Sequence, residues 1–312
     1  MSHARIPLAL ALVATLTACG SSSDTPMPAA EPNLVALAQS NPNLSILVEA
    51  VVAADLQGTL SGAGPFTVFA PTNAAFAALL TELGVTKAEL LANKPLLTAV
   101  LTYHVLPARV LKAGIPLGKA ITTVQGGIFK IDAVGAAVVI TDGRNRTSTV
   151  TATDIAAANG VVHVIDKVIL PADKNIVETA LALPDFSILV EAVVAANLQG
   201  TLSGAGPFTV FAPTNAAFAA LLTELGVSKA DLLADQALLT KVLTYHVLAG
   251  RVLKADVVPG TQPATVEGGT FAINASLAVT DQRMRNAQIV ATDVLTSNGV
   301  IHVLDKVILP AP

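Results

Sequence analysis

The stretch Phe66-Thr67-Val68-Phe69-Ala70-Pro71-Thr72-Asn73-Ala74-Ala75-Phe76 occurs twice in the chain, the second time unchanged as Phe208 to Phe218. Phe66 to Ala70 is aromatic and β-branched, the composition of a short strand. Pro71-Thr72-Asn73 then predicts the opening of a helix that runs through Leu83, with Thr72 or Asn73 as its N-cap and Gly84 as its stop. A strand passing straight into a capped helix, repeated once, organises everything around it.

Working outward, Ser45 to Leu91 matches Ser187 to Leu233 at an offset of 142, and only Asp55/Asn197, Thr86/Ser228 and Glu89/Asp231 differ. Tyr103-His104 returns as Tyr245-His246. After a three-residue deletion near Ala133 to Val138 the offset becomes 139, and Asn159 to Val164 returns as Asn298 to Val303. Two copies of domain size make a tandem pair and not a solenoid. The expected division is residues 33–171 and 172–312. The linker near Pro171 to Lys174 is so short that the domains are expected to touch or to have limited relative freedom.

Within each copy, helical patterns come first. Ser45 to Ala54 carries a helical apolar stripe, Thr86-Lys87-Ala88-Glu89 has capping-box spacing, and Pro95 to Thr102 is a further helix. Gly62 to Pro65 reads as a turn. From Val105 onward β-branched runs alternate with turns, with strands expected at Ile128 to Ile131, Ala137 to Thr141, Thr149 to Thr153 and Val161 to Leu170. A helical half followed by a strand-rich half predicts an α+β fold.

Phe66 to Phe76 resembles the first signature box of fasciclin (FAS1) domains. Tyr103-His104 resembles their tyrosine–histidine motif, and Asn159 to Pro171 resembles their second box. The second copy carries all three, at Phe208 to Phe218, Tyr245-His246 and Asn298 to Pro310. The resemblance implies two tandem fasciclin-like domains, each a β-wedge or sandwich of about seven strands flanked by helices. It also implies adhesion to cells, extracellular matrix or surface glycans. The alternative it offers is an apolar small molecule, a carotenoid or lipid, bound in a domain cleft. One departure is visible: Ala74 and Ala216 stand where the family often has an acidic residue.

The N-terminus reads as an address. Arg5 precedes an almost wholly apolar run from Ile6 to Ala18. As a helix that run spans about 20 Å, short of the roughly 30 Å hydrocarbon core, so residues 1–18 read as a signal peptide. Leu16-Thr17-Ala18-Cys19 resembles the lipobox of bacterial lipoproteins, which implies cleavage before Cys19 and acylation of its thiol. Residues 19–32, rich in Ser, Pro, Ala and Gly, read as a flexible tether. Gly20 resembles the residue found in lipoproteins sent to the outer membrane. The expected location is the bacterial cell envelope, lipid-anchored, at the outer membrane or cell surface or facing the periplasm.

Composition narrows the function. Apolar residues are 53% of the chain and charged residues 13%, enough to fill cores. A net charge of −4 and the absence of Trp leave neither long-range attraction nor stacking platforms for nucleic acid, so no nucleic-acid partner is expected. With Cys19 the sole cysteine, no intrachain disulfide forms. Neither a nucleophile elbow, nor a zinc-protease motif, nor a P-loop occurs, and the chain is read as a non-enzyme without cofactor or metal.

Several residues remain candidates for binding or for structure. Thr72, Asn73, Thr214 and Asn215 read first as N-caps. His104 and His246, after Tyr103 and Tyr245, read first as helix-terminal side chains that hold nearby backbone. His163 and His302 lie within strand patterns, and with two histidines per domain in different elements a metal site lacks ligands. Arg144-Asn145-Arg146 and Arg283-Met284-Arg285 follow Asp142 and Asp281 in expected hairpin turns. Paired arginines there suit a carboxylate, sulfate or phosphate, so Arg144, Arg146, Arg283 and Arg285 are candidate polyanion contacts.

Overall fold

The structure, a computed structural model, describes residues 31–312. The signal-peptide and Cys19 lipidation readings fall on residues 1–30 and lie outside the described residues. The first copy runs α1 (Leu34–Gln39), α2 (Ser45–Ala53), α3 (Gln57–Ser61), β1 (Phe66–Pro71), α4 (Asn73–Leu83), α5 (Lys87–Ala92), α6 (Lys94–Tyr103), β2 (Val105–Leu106), β3 (Ala120–Thr122), β4 (Ile128–Val134), β5 (Ala137–Thr141), β6 (Thr147–Ala157) and β7 (Gly160–Ile165). The second runs α7 (Ile176–Leu181), α8 (Ser187–Ala195), α9 (Gln199–Leu202), β8 (Phe208–Pro213), α10 (Asn215–Leu225), α11 (Lys229–Ala234), α12 (Gln236–Tyr245), β9 (Val247–Ala249), β10 (Ala272–Ile273), β11 (Ala278–Thr280), β12 (Asn286–Thr296) and β13 (Gly299–Leu304).

Local chemistry explains the helix limits. Thr72 Oγ1 accepts from Ala75 N at 3.2 Å, and Gly84 closes α4 in the left-handed region at φ 66°. At α5, Thr86 and Glu89 form both halves of a capping box.

The sheet of the first domain has the order β2-β1-β7-β6-β5-β4-β3. β1 pairs parallel with β7, from Phe66 opposite Gly160 to Pro71 opposite Ile165, while the other pairings are antiparallel. So β1 lies in the helical half of the sequence yet sits next to the last strand of the copy. Alternation along it serves two cores. Val68 and Ala70 pack with the helices, and Phe69 points the other way, against Tyr103, Phe129 and Ile165. Phe69 meets Phe129 edge-to-face at 5.2 Å.

Three expected strands change length, the first being β4, which runs past Ile131 to Val134 and pairs with β5 as far as Ala137. β6 runs through Thr147–Ala157, beyond the expected Thr149 to Thr153, because register shifts flank Ala152 and Asp154 takes φ 60°, so the ladder bends and continues. The run from Val161 does not stay a strand to Leu170. It stops at Ile165, where Asp166 accepts from Thr149 N and Ser148 Oγ and turns the chain. In the second domain the sheet has six strands, in the order β10-β11-β12-β13-β8-β9. The counterpart of Ile121 in β3 is Pro263, which has no N–H to give a ladder, and only isolated bridges remain there.

The domains touch. Ile128 of the first packs with Leu253, Leu295 and Val300 of the second. Lys130 Nζ lies 3.0 Å from Asp293 Oδ2 and 3.2 Å from Asp132, and the Asp293 side chain is only 3% exposed. Burial works against the Lys130 ammonium, but the hydrogen bonds and charges of Asp293 and Asp132 together outweigh it, and its pKa lies above the ordinary value. Asn145, at φ 62°, pairs with the backbone of Leu295 in β12: its Nδ2 donates to Leu295 O at 3.0 Å and its Oδ1 accepts from Leu295 N at 2.7 Å. The matching positions in the second domain are Ala272 and Met284, the latter 80% exposed. The repeats therefore differ where the junction needs it.

Candidate functional site

The polar residues that recur in the two boxes of each copy converge on the joints between elements. Thr72 caps its own helix, but Asn73 reaches away. Its Oδ1 accepts from Ile46 N at 3.0 Å, and its Nδ2 donates to Pro42 O and Ser45 Oγ. α2 has no side-chain cap of its own, so Asn73 supplies one from a distance of 27 residues in sequence. Thr214 and Asn215 repeat both roles. Asn159, which in the sequence stands out only as the first residue of the second box, does similar work: it accepts from Leu34 N and donates to Leu60 O and Gly62 O. Asn298 makes the same three bonds.

Tyr103 is fully buried. Its hydroxyl donates to Ile128 O at 2.5 Å and accepts from Gly143 N at 2.8 Å, which ties α6 to the start of β4 and to the β5–β6 turn. Burial and the nearby Asp142 charge push its pKa up. Tyr245 makes the equivalent bonds to Thr270 O and Gln282 N, and burial pushes its pKa up to about 12.

His104 joins α6 to the second box. Its Nε2 accepts from Ile169 N at 3.1 Å, so the proton sits on Nδ1, which donates to Val100 O at 2.7 Å. Burial lowers its pKa to about 4. His246 does the same between Val242 O and Ile308 N, also with a pKa lowered by burial to about 4. His163 Nδ1 accepts from Asp154 N and its Nε2 donates to Val110 O, and His302 repeats this with Asp293 N and Val252 O. Among the described residues, no group of three or more His, Cys, Asp or Glu is placed to hold a metal ion.

The arginine pairs divide by position. Arg146 turns inward: its Nε donates to Asp142, one terminal nitrogen to both Glu82 oxygens at 2.6 and 2.7 Å, and the other to Val168 O. Arg285 repeats this with Asp281, Glu224 and Val307 O. Arg144 faces outward and pairs with Asp173 at 3.2 Å, while Arg283 donates from Nε to Pro310 O. Each inward arginine braces an aspartate that organises its turn.

One feature was not legible in the motifs. Between α1, α2, α3 and the β1–β7 pair, the first domain encloses a cavity of about 350 Å³ lined by Leu34, Leu44, Leu47, Val51 and Val68 among others. Its rim carries the uncharged polar residues Ser40, Asn41 and Gln57. The counterpart in the second domain holds about 60 Å³.

The fasciclin domain model matches residues 42–171 and again 184–310. The chain belongs to the fasciclin domain family, as two tandem FAS1 domains. It is 33% identical over 259 residues to pig transforming growth factor-beta-induced protein ig-h3, covering 82% of this chain and 36% of that protein. It is 30% identical over 261 residues to human periostin, covering 82% of this chain and 29% of periostin. The chain thus spans about a third of the length of these relatives. Its likeness to protein sll1735 of Synechocystis is 42% identity over 135 residues, 43% of this chain and 97% of that one. A solved FAS1 domain pair from the insect cell adhesion molecule Fasciclin I aligns with a TM-score of 0.44 at 19% identity, over 86% of this chain and 98% of that chain. No helix among the described residues is long and apolar enough to cross a membrane.

Proposed function

We propose that this chain is a surface-tethered adhesion or interaction protein that binds cells, matrix or glycans through its two FAS1 domains. The observation that carries the reading is the junction. Lys130–Asp293, Asn145 and the Ile128 cluster hold two family domains in fixed contact, so the pair presents its faces at a set spacing. Two linked sites gain avidity for a repetitive target without new contacts. Lipid at Cys19 would hold the pair on the bacterial envelope, at the surface or facing the periplasm. Among the described residues, His104, His163, His246 and His302 have both ring nitrogens spent on backbone, which favours a binding role over catalysis. Polyanion contact would fall to the outward Arg144 and Arg283, since Arg146 and Arg285 are occupied internally.

Beads carrying residues 20–312 are expected to attach to cells or to members of a matrix-protein and glycan array. Exchanging Arg144 and Arg283 together for alanine is expected to weaken attachment to sulfated glycans several-fold. Absence of attachment to every surface would reject the adhesive reading.

The first domain's cavity favours a second reading, the binding of an apolar small molecule such as a lipid or carotenoid. Protein purified from its native host is then expected to release a stoichiometric apolar compound into organic solvent, detected by mass spectrometry. A lipid-free, colourless preparation counts against it.

A further inference from the structure

We propose that the first FAS1 domain alone carries the ligand, and that the ligand is a single uncharged apolar chain with a hydroxyl or ester end. This rests on the apolar-ligand reading above and deepens it.

The two repeats are each other's control. α2 and α8, α3 and the start of α9, and β1 and β8 have the same sequences, so most of the cavity wall is shared. The voids nevertheless hold about 350 and 60 Å³. Among the wall residues that differ, Ile155/Val294 and Val162/Ile301 trade one methylene in opposite directions, and Leu37/Thr179 makes the second domain's wall smaller. Asn41/Leu183 and Leu44/Phe186 both add bulk to the second domain, but Leu183 is 39% exposed, which leaves Phe186 as the ring that enters the interior. Phe186 is buried at 4% in the helix-side core there, and the remaining void is lined by α7, α8 and α9 without reaching residues 182–186. In the first domain the void extends to Ser40, Asn41, Pro42 and Leu44. One aromatic ring thus closes the second domain.

Size and chemistry then choose the ligand class. Protein interiors leave few voids larger than a water, whereas small-molecule pockets hold about 300–1,000 Å³. Apolar walls of this kind exclude water and accept apolar molecules of matching shape. No charged side chain lines the cavity. His104 does, but both its ring nitrogens are engaged by Val100 O and Ile169 N, so it offers a carboxylate nothing. A carboxylate entering there would be buried without a partner. The rim residues Ser40 and Asn41, which are Ala182 and Leu183 in the second domain, suit a neutral polar end.

The test is a reciprocal ring exchange in the full tandem chain: Leu44→Phe and Phe186→Leu. Both side chains are already accepted at the equivalent place in the other repeat, and thermal melts followed by circular dichroism check folding. The probes are dodecan-1-ol, farnesol and dodecanoate at pH 8, each titrated by calorimetry. The parent chain is expected to bind one equivalent of dodecan-1-ol or farnesol, the tighter one distinguishing an acyl from a polyprenyl chain. Leu44→Phe is expected to weaken that binding at least tenfold, and Phe186→Leu to add a second equivalent. Dodecanoate is expected to bind at least tenfold more weakly than the alcohol. Two equivalents on the parent, or unchanged binding by Leu44→Phe, overturns the assignment to the first domain while leaving the apolar-ligand reading standing. Dodecanoate binding as tightly as the alcohol overturns the uncharged class. No binding of any probe, with no apolar compound in the native extract, removes the apolar-ligand reading and this proposal with it.

Discussion

Asp142→Ala is expected to lower the stability of the first domain by about 3–5 kcal/mol, the usual cost of removing one partner from a buried ion pair. The Asp142 side chain is 1% exposed and accepts four hydrogen bonds. Two, from Arg144 N and Arg146 N, shape the β5–β6 turn. One, from Arg146 Nε, pairs the charges. The fourth, from Leu170 N, fastens the segment that follows β7. Alanine leaves those backbone N–H groups dry and Arg146 short of one carboxylate, although Glu82 still holds its outer edge. Asp281→Ala is expected to do the same to the second domain, whose four bonds are equivalent. Differential scanning calorimetry reads the effect as a downward shift of the altered domain's transition. A loss below about 1 kcal/mol would mean that the turn and the second box are held by other contacts.

The second large effect is acid sensitivity. Stability is expected to fall by about 3 kcal/mol for each of His104 and His246 as pH drops from 6.5 to 4. Both are held neutral by burial, with pKa values near 4 against an ordinary 6.5. Below pH 6.5 the unfolded chain takes up protons that the folded chain refuses, so the unfolded state gains. Above pH 6.5 both states are neutral and the contribution is flat. The mechanism is specific: protonating Nε2 removes the lone pair that accepts from Ile169 N or Ile308 N. Burial lowers the pKa of His302 as well, which acts in the same direction. Urea midpoints measured at pH 7.5, 6.0, 5.0 and 4.5 check this, since most carboxylates titrate lower. A midpoint constant across that range would show that these imidazoles are accessible to protons in the folded state.

Both effects depend on residues that the sequence marks without explaining. Tyr103-His104 and Asp142 to Arg146 stand out because they recur in each copy. Recurrence says that a position matters to the repeat and nothing of what it touches. The arginine pairs show the difference. As sequence, Arg144 and Arg146 are alike. In the structure one faces out while the other spends its guanidinium on Asp142, Glu82 and Val168 O. Asn73 likewise reads as a cap for its own helix, but that role belongs to Thr72, and Asn73 caps α2.

What the sequence determined by itself is whatever a few neighbouring residues settle through local hydrogen bonding and side-chain periodicity: the α4 and α5 caps, the Gly84 stop, the core of β5, the duplication and through it the family. What only the tertiary structure decided involves partners far apart along the chain. The parallel pairing of β1 with β7 joins residues 94 apart, as in Phe66 opposite Gly160, and no local pattern selects that partner. The division of labour within each asparagine and arginine pair, the Lys130–Asp293 junction and the void beside Leu44 belong to the same class. Their energies come from burial and from satisfying polar groups inside a packed interior, and the interior exists only once distant segments have met.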